Sequence, residues 1–429
     1  MRSYLSTYIP RLSPRVWRVL GADAVSALGT GFVLPFLMVY LRDVRDIDVT
    51  TAGLVVAVIA VVSLVVAPGI GSLVDRVGPR RTLIVALCIC AAGSVTTAFI
   101  RETWHAFLAA GLMGAGFAAM WPATHSLLTS IVEPHQRSSV YAVHYATLNA
   151  GIGLGGIAGG LIADVNDPRS FELLYSFDAL SWLFFAVVLF FMRDIGGRVE
   201  HEVSSDGPGG YAEVLKDRTF LRLMAIAALL VTVGYSQLQS GFPAYATDEG
   251  GASTRVLGAA FAANTFLIVV LQLVVLRWLE GKRRTRALMA ICVLWAIAWV
   301  LTIAAGVVGP GLMANLGFVL ALVFIAAGEC LVSPSIPGML NDLAPDHLRG
   351  RYNAGYSLMF SVGHIIGPAV AGVMLGRNLG EALFVGLIAA CGVTLLMARS
   401  LERSIPEAAN LVSGEQPSPP VPEAEQAVV

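Results

Sequence analysis

The chain has 429 residues, of which 56% are apolar and only 13% charged, and its formal net charge at pH 7 is −1. About a quarter of the residues of a soluble domain are charged, and a soluble protein this apolar would expose large adhesive patches to water. The composition therefore argues against a soluble enzyme. The lack of a long basic or acidic tract argues against a nucleic-acid-binding protein.

Twelve apolar runs are each long enough to cross a membrane, which takes about 20 mostly apolar residues. In chain order they span residues 17–41, 51–73, 82–100, 104–130, 138–163, 171–192, 219–246, 255–279, 286–308, 311–340, 350–376 and 380–399. A longer connection rich in Ser, Gly and Asp follows the sixth run, and the end of the chain is rich in Pro, Glu and Ala, which is typical of disorder. We predict an N-terminal six-helix bundle (1–192), a cytoplasmic linker (193–218), a C-terminal six-helix bundle (219–402) and a disordered cytoplasmic tail (403–429).

Basic residues are divided unevenly between the two ends of the predicted helices. One side carries basic clusters around Arg80, Arg193 and Arg283, whereas the other carries Arg42, Arg45, Arg101, Arg169, Arg255 and Arg377. Since cytoplasmic loops are the more basic, we expect both termini in the cytoplasm of a multi-pass cell-membrane protein. The excess of Arg over Lys is typical of a GC-rich bacterial genome.

The two predicted bundles repeat one another in sequence. A shift of 212 residues superposes the fourth and fifth helices on the tenth and eleventh, pairing Gly116 with Gly328, Pro122 with Pro334, Gly151 with Gly363, Gly155 with Gly367 and Gly160 with Gly372. Two parallel six-helix repeats are a plan of secondary transporters, whose substrate site lies near the midplane between the repeats. We therefore expect an all-α polytopic membrane protein with two pseudo-symmetric six-helix bundles.

The turn after the second predicted helix carries a charged, glycine-bounded motif. It reads Gly71-Ser-Leu-Val-Asp75-Arg76-Val-Gly78-Pro-Arg-Arg. A tight turn with cytoplasmic arginines explains its basic residues but not an Asp-Arg pair between two glycines. The motif resembles the G-x-L-x-D-R-x-G-[RP]-[RK]-[RK] signature of the major facilitator superfamily. The resemblance implies that Asp75, with Arg76, Gly71 and Gly78, latches the cytoplasmic side shut against the eleventh helix, whose N-terminus favours a negative charge.

Two further stretches resemble the twelve-helix drug:proton antiporter branch of that superfamily. The first helix contains Leu28-Gly29-x-Gly31-x-x-x-Pro35, and the fifth contains Gly151-x-x-x-Gly155-Gly156-x-x-Gly159-Gly160, in which Gly156 replaces the proline of the branch. Ala110 stands where the branch usually has the arginine that it ties to proton coupling.

Small residues at every fourth position let helices approach closely. We therefore predict helix-packing roles for Gly151, Gly155, Gly159, Gly363, Gly367 and Pro368. The surface formed by Gly155 and Gly159 is expected to face the eighth helix, where Gly258 offers a small-residue partner.

Carboxyl groups inside the predicted helices are candidate functional groups, since a charge at the bilayer centre costs about 2.5–3.5 kcal/mol. Glu329 lies at the middle of the tenth helix, where burial favours the protonated form, so it is a candidate proton carrier or partner of a cation; the alternative is a structural hydrogen bond. Asp23 on the first helix is a second proton-coupling candidate, or a structural partner of a nearby arginine. Asp178 on the sixth helix is interpreted as structural.

A row of large side chains on the fourth helix suggests one wall of a substrate cavity. Met113, Phe117, Trp121 and His125 recur at every fourth residue, and the repeat superposes Phe117 on Glu329. Aromatic faces opposite a carboxylate suit an amphipathic cation, although such a row also fits plain packing. The predicted cavity residues are Met113, Phe117, Trp121, Tyr235, Gln239 and Ser333. His144 and His364 are interpreted as core histidines in preference to proton sites.

These observations predict a monomeric secondary transporter that exports small amphipathic or hydrophobic compounds, such as drugs, by proton-coupled alternating access. Its expected partners are the substrate, protons and the lipid bilayer. The alternatives are a symporter or facilitator for one metabolite, or a lipid-handling transporter of the same fold. The sequence contains no phosphate-binding loop, nucleophile elbow, zinc-ligand cluster or haem motif, so we expect neither an enzyme nor a cofactor or metal.

Overall fold

The computed structural model describes residues 12–133, 137–195, 214–345 and 348–412, and within these ranges the side chains of 71, 72, 75, 137–139, 141–142, 273, 333, 341 and 349–350 are not described. Twelve long helices dominate the fold: α1 Pro14–Val33, α2 Val49–Val77, α3 Pro79–Ala98, α4 Thr103–Ile131, α5 Arg137–Ile162, α6 Pro168–Phe191, α7 Arg218–Val233, α8 Thr254–Leu279, α9 Arg284–Val308, α10 Leu312–Leu343, α11 Arg349–Leu375 and α12 Gly380–Glu402. Each contains or begins a segment apolar and long enough to span a membrane, so the prediction of twelve spanning helices is confirmed.

Short polar side chains define several helix starts. Asp48 accepts a hydrogen bond from the backbone N–H of Thr51 at 2.9 Å at the start of α2, and Asp217 caps α7 in the same way. Such caps satisfy N–H groups that have no partner within the helix. Between α2 and α3 the chain reverses at Gly78, whose φ of 93° lies in the region that glycine adopts without strain.

Two helices are interrupted where the sequence predicts continuity. After α1 the chain passes through a 3-10 turn at Leu34–Phe36, a short helix and a π-helical turn at Tyr40–Val44. After α7 it breaks at Gly234 and resumes as the short helices Tyr235–Leu238 and Gly241–Asp248. The predicted unbroken helix 219–246 is therefore wrong. Gly234 packs so tightly on the ring of Trp295 that a side chain would not fit, and non-helical backbone at membrane depth is tolerated where protein covers it.

The two halves use the same set of helix contacts. In the first half α1 packs on α5 and α6, α3 packs on α4 and α6, and α2 packs on α4. In the second half α7 packs on α11 and α12, α9 on α10 and α12, and α8 on α10. Between the halves, α2 meets α11 and α5 meets α8, again as an equivalent pair. The predicted pseudo-symmetric bundles are thus present, and the halves meet along two related interfaces.

Glycines set the packing of α5, but on a different neighbour from the one predicted. Gly151 and Gly155 lie against α1, where a Cβ on Gly155 would come within 2.8 Å of the Cα of Gly31. The expectation that Gly155 and Gly159 face α8 is therefore wrong. Gly160 faces α8 instead, and a Cβ there would lie 3.0 Å from the Cα of Gly258. Adjacent residues point about 100° apart around a helix, so neighbouring rows of glycines contact different helices.

The second half repeats this arrangement. Gly363 and Gly367 of α11 pack against Val231 and Ser236 at and beyond the end of α7. Gly372, the repeat partner of Gly160, approaches α2, where a Cβ on Gly372 would lie 2.9 Å from the Cα of Gly53. Pro368 contributes its carbonyl oxygen to the same contact. One glycine row in each half therefore holds that half together, and the next row meets the other half.

The halves are joined at the end of the molecule opposite Gly78. Thr50 donates a hydrogen bond of 3.2 Å to the carbonyl of Gly372, and Thr254 donates one of 2.6 Å to the carbonyl of Ala163. Arg42 forms an ion pair with Asp248. We call these three contacts the Arg42 seam. We call the boundary between the two halves the cleft. Since α2 runs from this seam to Gly78, the seam closes one end of it.

The predicted disordered tail, 403–429, includes residues that are folded in the structure. Residues 405–412 fold against the second half, with Ile405, Ala409, Asn410 and Val412 buried and a final short helix, α13, at Glu407–Asn410. Most of the predicted linker and the remainder of the tail, 196–213 and 413–429, lie outside the described residues.

Candidate functional site

Glu329 is held at the middle of α10 by close contacts on both sides. The indole Nε1 of Trp295 on α9 donates a hydrogen bond of 3.0 Å to the carbonyl of Ile325, and Gly328 lies against the same ring. On the other side, the Asn264 side chain of α8 lies beside the Glu329 carboxyl and donates a hydrogen bond of 3.3 Å to the carbonyl of Leu322. Within the described part of the chain, no Lys or Arg forms an ion pair with the Glu329 carboxyl. The polar side chain beside it is thus a neutral amide.

One tyrosine from each half interacts electrostatically with this carboxyl. They are Tyr145 of α5 and Tyr235 in the break after α7. The Tyr235 ring lies 5.9 Å from Trp295 and 5.8 Å from Phe360 between centroids. Tyr145 is 47% exposed. Because Tyr145 belongs to the first half and Glu329 to the second, the carboxyl lies beside the cleft between them.

A buried carboxyl lies in the first half. Asp23 Oδ2 of α1 is 2.8 Å from Nε2 of His144 on α5, and the two side chains are only 8% and 5% exposed. The partner of Asp23 is therefore a histidine, in place of the arginine considered from sequence. Oδ2 is fully buried and accepts no aligned hydrogen bond, so the contact is an ion pair whose charge depends on the proton of His144.

A small pocket opens beside this pair. Its lining residues are Asp23, Met120, Trp121, Thr124, His144 and Leu148. The Trp121 ring lies 6.0 Å from the ring of His144 and 5.6 Å from that of His125, and it is 42% exposed. The pocket therefore combines a carboxylate, an imidazole and one accessible aromatic ring.

The predicted aromatic row on α4 does not form one wall opposite Glu329. Met113 packs against Gly93 and Ser94 of α3, and the Phe117 ring meets Trp182 of α6 at 6.3 Å. Of the four residues, only Trp121 lines the pocket beside Asp23, while the His125 ring lies 5.9 Å from that of His144. Each step of four residues rotates about 40° around the helix, so the row drifts from one neighbour to another. The placement of Met113 and Phe117 in a shared cavity wall is corrected accordingly.

Asp178 lies inside the first half, away from the cleft. It is 1% exposed, and Ser94 of α3 donates a hydrogen bond of 2.5 Å to its Oδ2. This contact ties α6 to α3, which agrees with the structural interpretation of Asp178.

The remaining predicted residues have mixed positions. Gln239 follows the break after α7, close to Tyr235 in the chain. Gly71 and Asp75 fall in α2, but their local surroundings lie outside the described residues, as do the side chains of Ser333 and Arg349. The latch assigned to Asp75, Arg76, Gly71 and Gly78 therefore stays a prediction.

Several residues of the site were not predicted from the sequence. Asn264 is the one amide in the apolar run of α8 between Arg255 and Gln272, and this isolation was a usable signal. Tyr145, by contrast, gives no signal of its own. The pairing of Asp23 with His144 joins residues far apart in the chain and has no counterpart in the repeat.

Comparison with known proteins identifies the relatives of the chain. The model of the Major Facilitator Superfamily matches residues 19–314 and 241–427. The Na(+), Li(+), K(+)/H(+) antiporter of Planococcus maritimus is 23% identical over 367 residues, covering 78% of this chain and 84% of its own. Multidrug resistance protein 2 of Bacillus subtilis (strain 168) is 24% identical over 381 residues, covering 87% and 92%.

A solved structure shares the fold. The crystal structure of peptide transporter POT in complex with sulfate superposes with a TM-score of 0.74 at 14% identity, covering 96% of this chain and 100% of that one. At this identity the likeness concerns the fold alone. The family match over both halves, together with the twelve helices, shows that the chain is a multi-pass membrane transporter of the major facilitator superfamily.

Proposed function

We propose that this transporter exports small amphipathic or hydrophobic compounds, cations among them, in exchange for protons carried by Glu329. The observation that carries the proposal is the position of the Glu329 carboxyl, at the middle of α10 and beside the cleft, with the neutral amide of Asn264 next to it. The similarity to a multidrug resistance protein and to a cation/proton antiporter supports both parts of the proposal.

The exchange follows from the cost of burying charge. Glu329 is half-buried, and a carboxyl that is partly removed from water without a cation beside it is less costly to hold in its neutral, protonated form. When the cleft opens to the cytoplasm and the proton leaves, the carboxylate can take a cationic substrate in its place. The rings of Tyr145 and Tyr235 offer faces that attract a cation. Proton and substrate then compete for one carboxyl, and alternating access turns this competition into exchange.

Movement between the two states would use the interfaces α2–α11 and α5–α8. The basic clusters support a cytoplasmic position for the Gly78 end, so the Arg42 seam would close the outer side. Under this proposal the protein is a monomer in a bacterial cytoplasmic membrane with both termini inside, and residues 1–192 and 219–402 move as the two bodies.

The test measures ethidium efflux from cells with and without a protonophore, in the parent, in Glu329→Gln and in Glu381→Gln. Glu381 is an exposed carboxyl in the first turn of α12 and serves as the matched control. We expect the protonophore to abolish efflux by the parent, Glu329→Gln to abolish the proton-driven part, and Glu381→Gln to behave like the parent. An efflux rate that the protonophore does not change would favour a facilitator over a proton-coupled antiporter. Full activity of Glu329→Gln would remove Glu329 from the mechanism.

A further inference from the structure

A second titratable centre lies in the first half and has no part in the mechanism above. Asp23 and His144 form a buried ion pair at 2.8 Å between α1 and α5, next to the pocket lined by Trp121 and Thr124 of α4. Asp23 Oδ2 accepts no aligned hydrogen bond. A buried carboxylate oxygen in this state depends on the charge of its single ion-pair partner for compensation.

Helix α5 links this pair to Glu329. His144 and Tyr145 are adjacent in sequence; His144 meets Asp23, whereas Tyr145 interacts with Glu329 of the other half. The glycine contacts of Gly151 and Gly155 fix α5 against α1, so the pair with Asp23 moves with the first half as one unit. Tyr145 and Glu329 belong to different halves, so their electrostatic interaction changes when the halves move.

The charged surroundings of the pair are few. From α4, His125 interacts electrostatically with both Asp23 and His144. From α6, the nearest carboxyl is Asp178, which is engaged by Ser94. Helix α8, which also packs on α5, has no charged or histidine residue between Arg255 and Arg277, and on α1 itself the nearest charge is the exposed Arg18. Within the described helices, His125 is therefore the titratable group that faces the pair.

We propose that Asp23 and His144 form a second proton-binding site, which releases its proton when an organic cation binds against the exposed ring of Trp121. It rests on the proton exchange proposed above. With a proton on His144, the imidazolium and the carboxylate are neutral together. When the proton leaves from Nε2 to water in the pocket, one negative charge remains on Asp23. A cation that stacks on the exposed Trp121 ring replaces the lost positive charge, so one proton leaves for each charge that enters.

A ligand-free measurement tests the pair itself. In purified protein with isotope-labelled histidine, the nitrogen NMR signals that vanish in His144→Gln belong to His144. We expect the His144 signals to differ between the parent and Asp23→Asn at the same pH, because the variant removes the carboxylate that faces Nε2. Asp178→Asn, which removes another buried carboxyl of the same half, should leave them unchanged. Identical His144 signals in the parent and in Asp23→Asn contradict the proposal.

Proton release on binding of tetraphenylphosphonium separates this site from Glu329. Purified protein in weakly buffered detergent with a pH indicator should release protons on addition of the probe. We expect Glu329→Gln to release fewer protons than the parent. Adding Asp23→Asn or His144→Gln to that variant should abolish the remaining proton release, while adding Asp178→Asn should not.

The outcomes distinguish the two proposals. If Glu329→Gln alone abolishes release, the second site is refuted and the role of Glu329 stands. If Glu329→Gln releases as many protons as the parent while Asp23→Asn releases none, Glu329 loses its role and the second site stands. If the parent does not bind the probe, or binds it without releasing protons, both proposals are contradicted.

Discussion

Thr254, the first residue of α8, donates a hydrogen bond of 2.6 Å to the carbonyl oxygen of Ala163, the residue that follows α5. The two residues belong to different halves, and the equivalent place on α2 and α11 is occupied by the hydrogen bond from Thr50 to Gly372. Together with the ion pair of Arg42 and Asp248, these polar contacts must break whenever the cleft opens at this end.

Asp248→Asn should weaken the Arg42 seam. The side chains of Arg42 and Asp248 are partly exposed, so we expect a loss of about 1 kcal/mol, roughly a five-fold shift toward the state open at this end. The measurement is the distance distribution between spin labels at the exposed residues Asp46 and Glu249 in a cysteine-free background. The double change Arg42→Asp/Asp248→Arg should restore the parent distribution. An unchanged distribution in Asp248→Asn would show that the ion pair does not hold the seam.

Gly160→Leu and Gly155→Leu should fail in different ways. Gly160 meets Gly258 across the halves, so a leucine there should hold the seam apart and block transport while the protein stays folded. Gly155 meets Gly31 within the first half, so a leucine there should lower the unfolding temperature and the expression level. Gly386→Leu on α12, where the space is open, is the matched control. Transport and thermal unfolding are measured for all three, and equal behaviour of Gly155→Leu and Gly160→Leu would contradict the assignment of two rows.

The sequence predicted the helices better than it predicted their partners. Apolar length and the repeat determined twelve helices in two halves, because lipid demands long apolar helices with internal hydrogen bonds. The position of Glu329 followed from the same count. The neighbours that the faces of α4 and α5 contact could not be predicted in this way. Adjacent rows of residues on one helix have the same spacing of four residues but point about 100° apart, so the spacing does not say which row meets which helix. The pair of Asp23 and His144 required tertiary structure, since it joins α1 to α5 at a level where the repeat has no equivalent.

Asn264→Ala should impair proton-driven efflux without unfolding the protein. Asn264 lies beside the Glu329 carboxyl and donates a bond of 3.3 Å to the carbonyl of Leu322. An amide in this place can donate to the carboxylate when the proton leaves, and loss of a hydrogen bond to a charged group costs about 1.5–3 kcal/mol, so we expect at least a roughly ten-fold loss of efflux. Thr265→Val changes the neighbouring residue and should retain most activity. Parent-like efflux in Asn264→Ala would mean that Glu329 works without this partner.

Asp75→Asn tests the latch implied by the signature motif. A carboxylate at the membrane edge is stabilised by a helix N-terminus by about 0.3–1 kcal/mol, more where it is partly buried. Removing its charge should therefore favour the state open at the Gly78 end and reduce transport several-fold, with expression largely intact. Efflux and membrane yield are compared with those of the parent. Full transport by Asp75→Asn would exclude the latch.

Loss of the chain end from Ile405 onward should destabilise the second half. The side chain of Asn410 accepts a hydrogen bond of 3.0 Å from the backbone N–H of Thr285 at the start of α9. Arg284 donates one of 2.9 Å to the carbonyl of Ala409 and pairs with Asp342 at the end of α10. The segment therefore fastens two helices of the same half at one end.

Three variants separate these contacts. Asn410→Ala removes one capping oxygen and should cost about 1 kcal/mol. Truncation after Ser404 also removes the pairing of Val412 with the backbone of Gly281 and Lys282, and should lower the unfolding temperature further. Truncation after Val412 keeps every one of these contacts and should unfold like the parent. Thermal unfolding of the purified proteins checks the order, and a Ser404 truncation as stable as the Val412 truncation would show that residues 405–412 do not fasten α9 to α10.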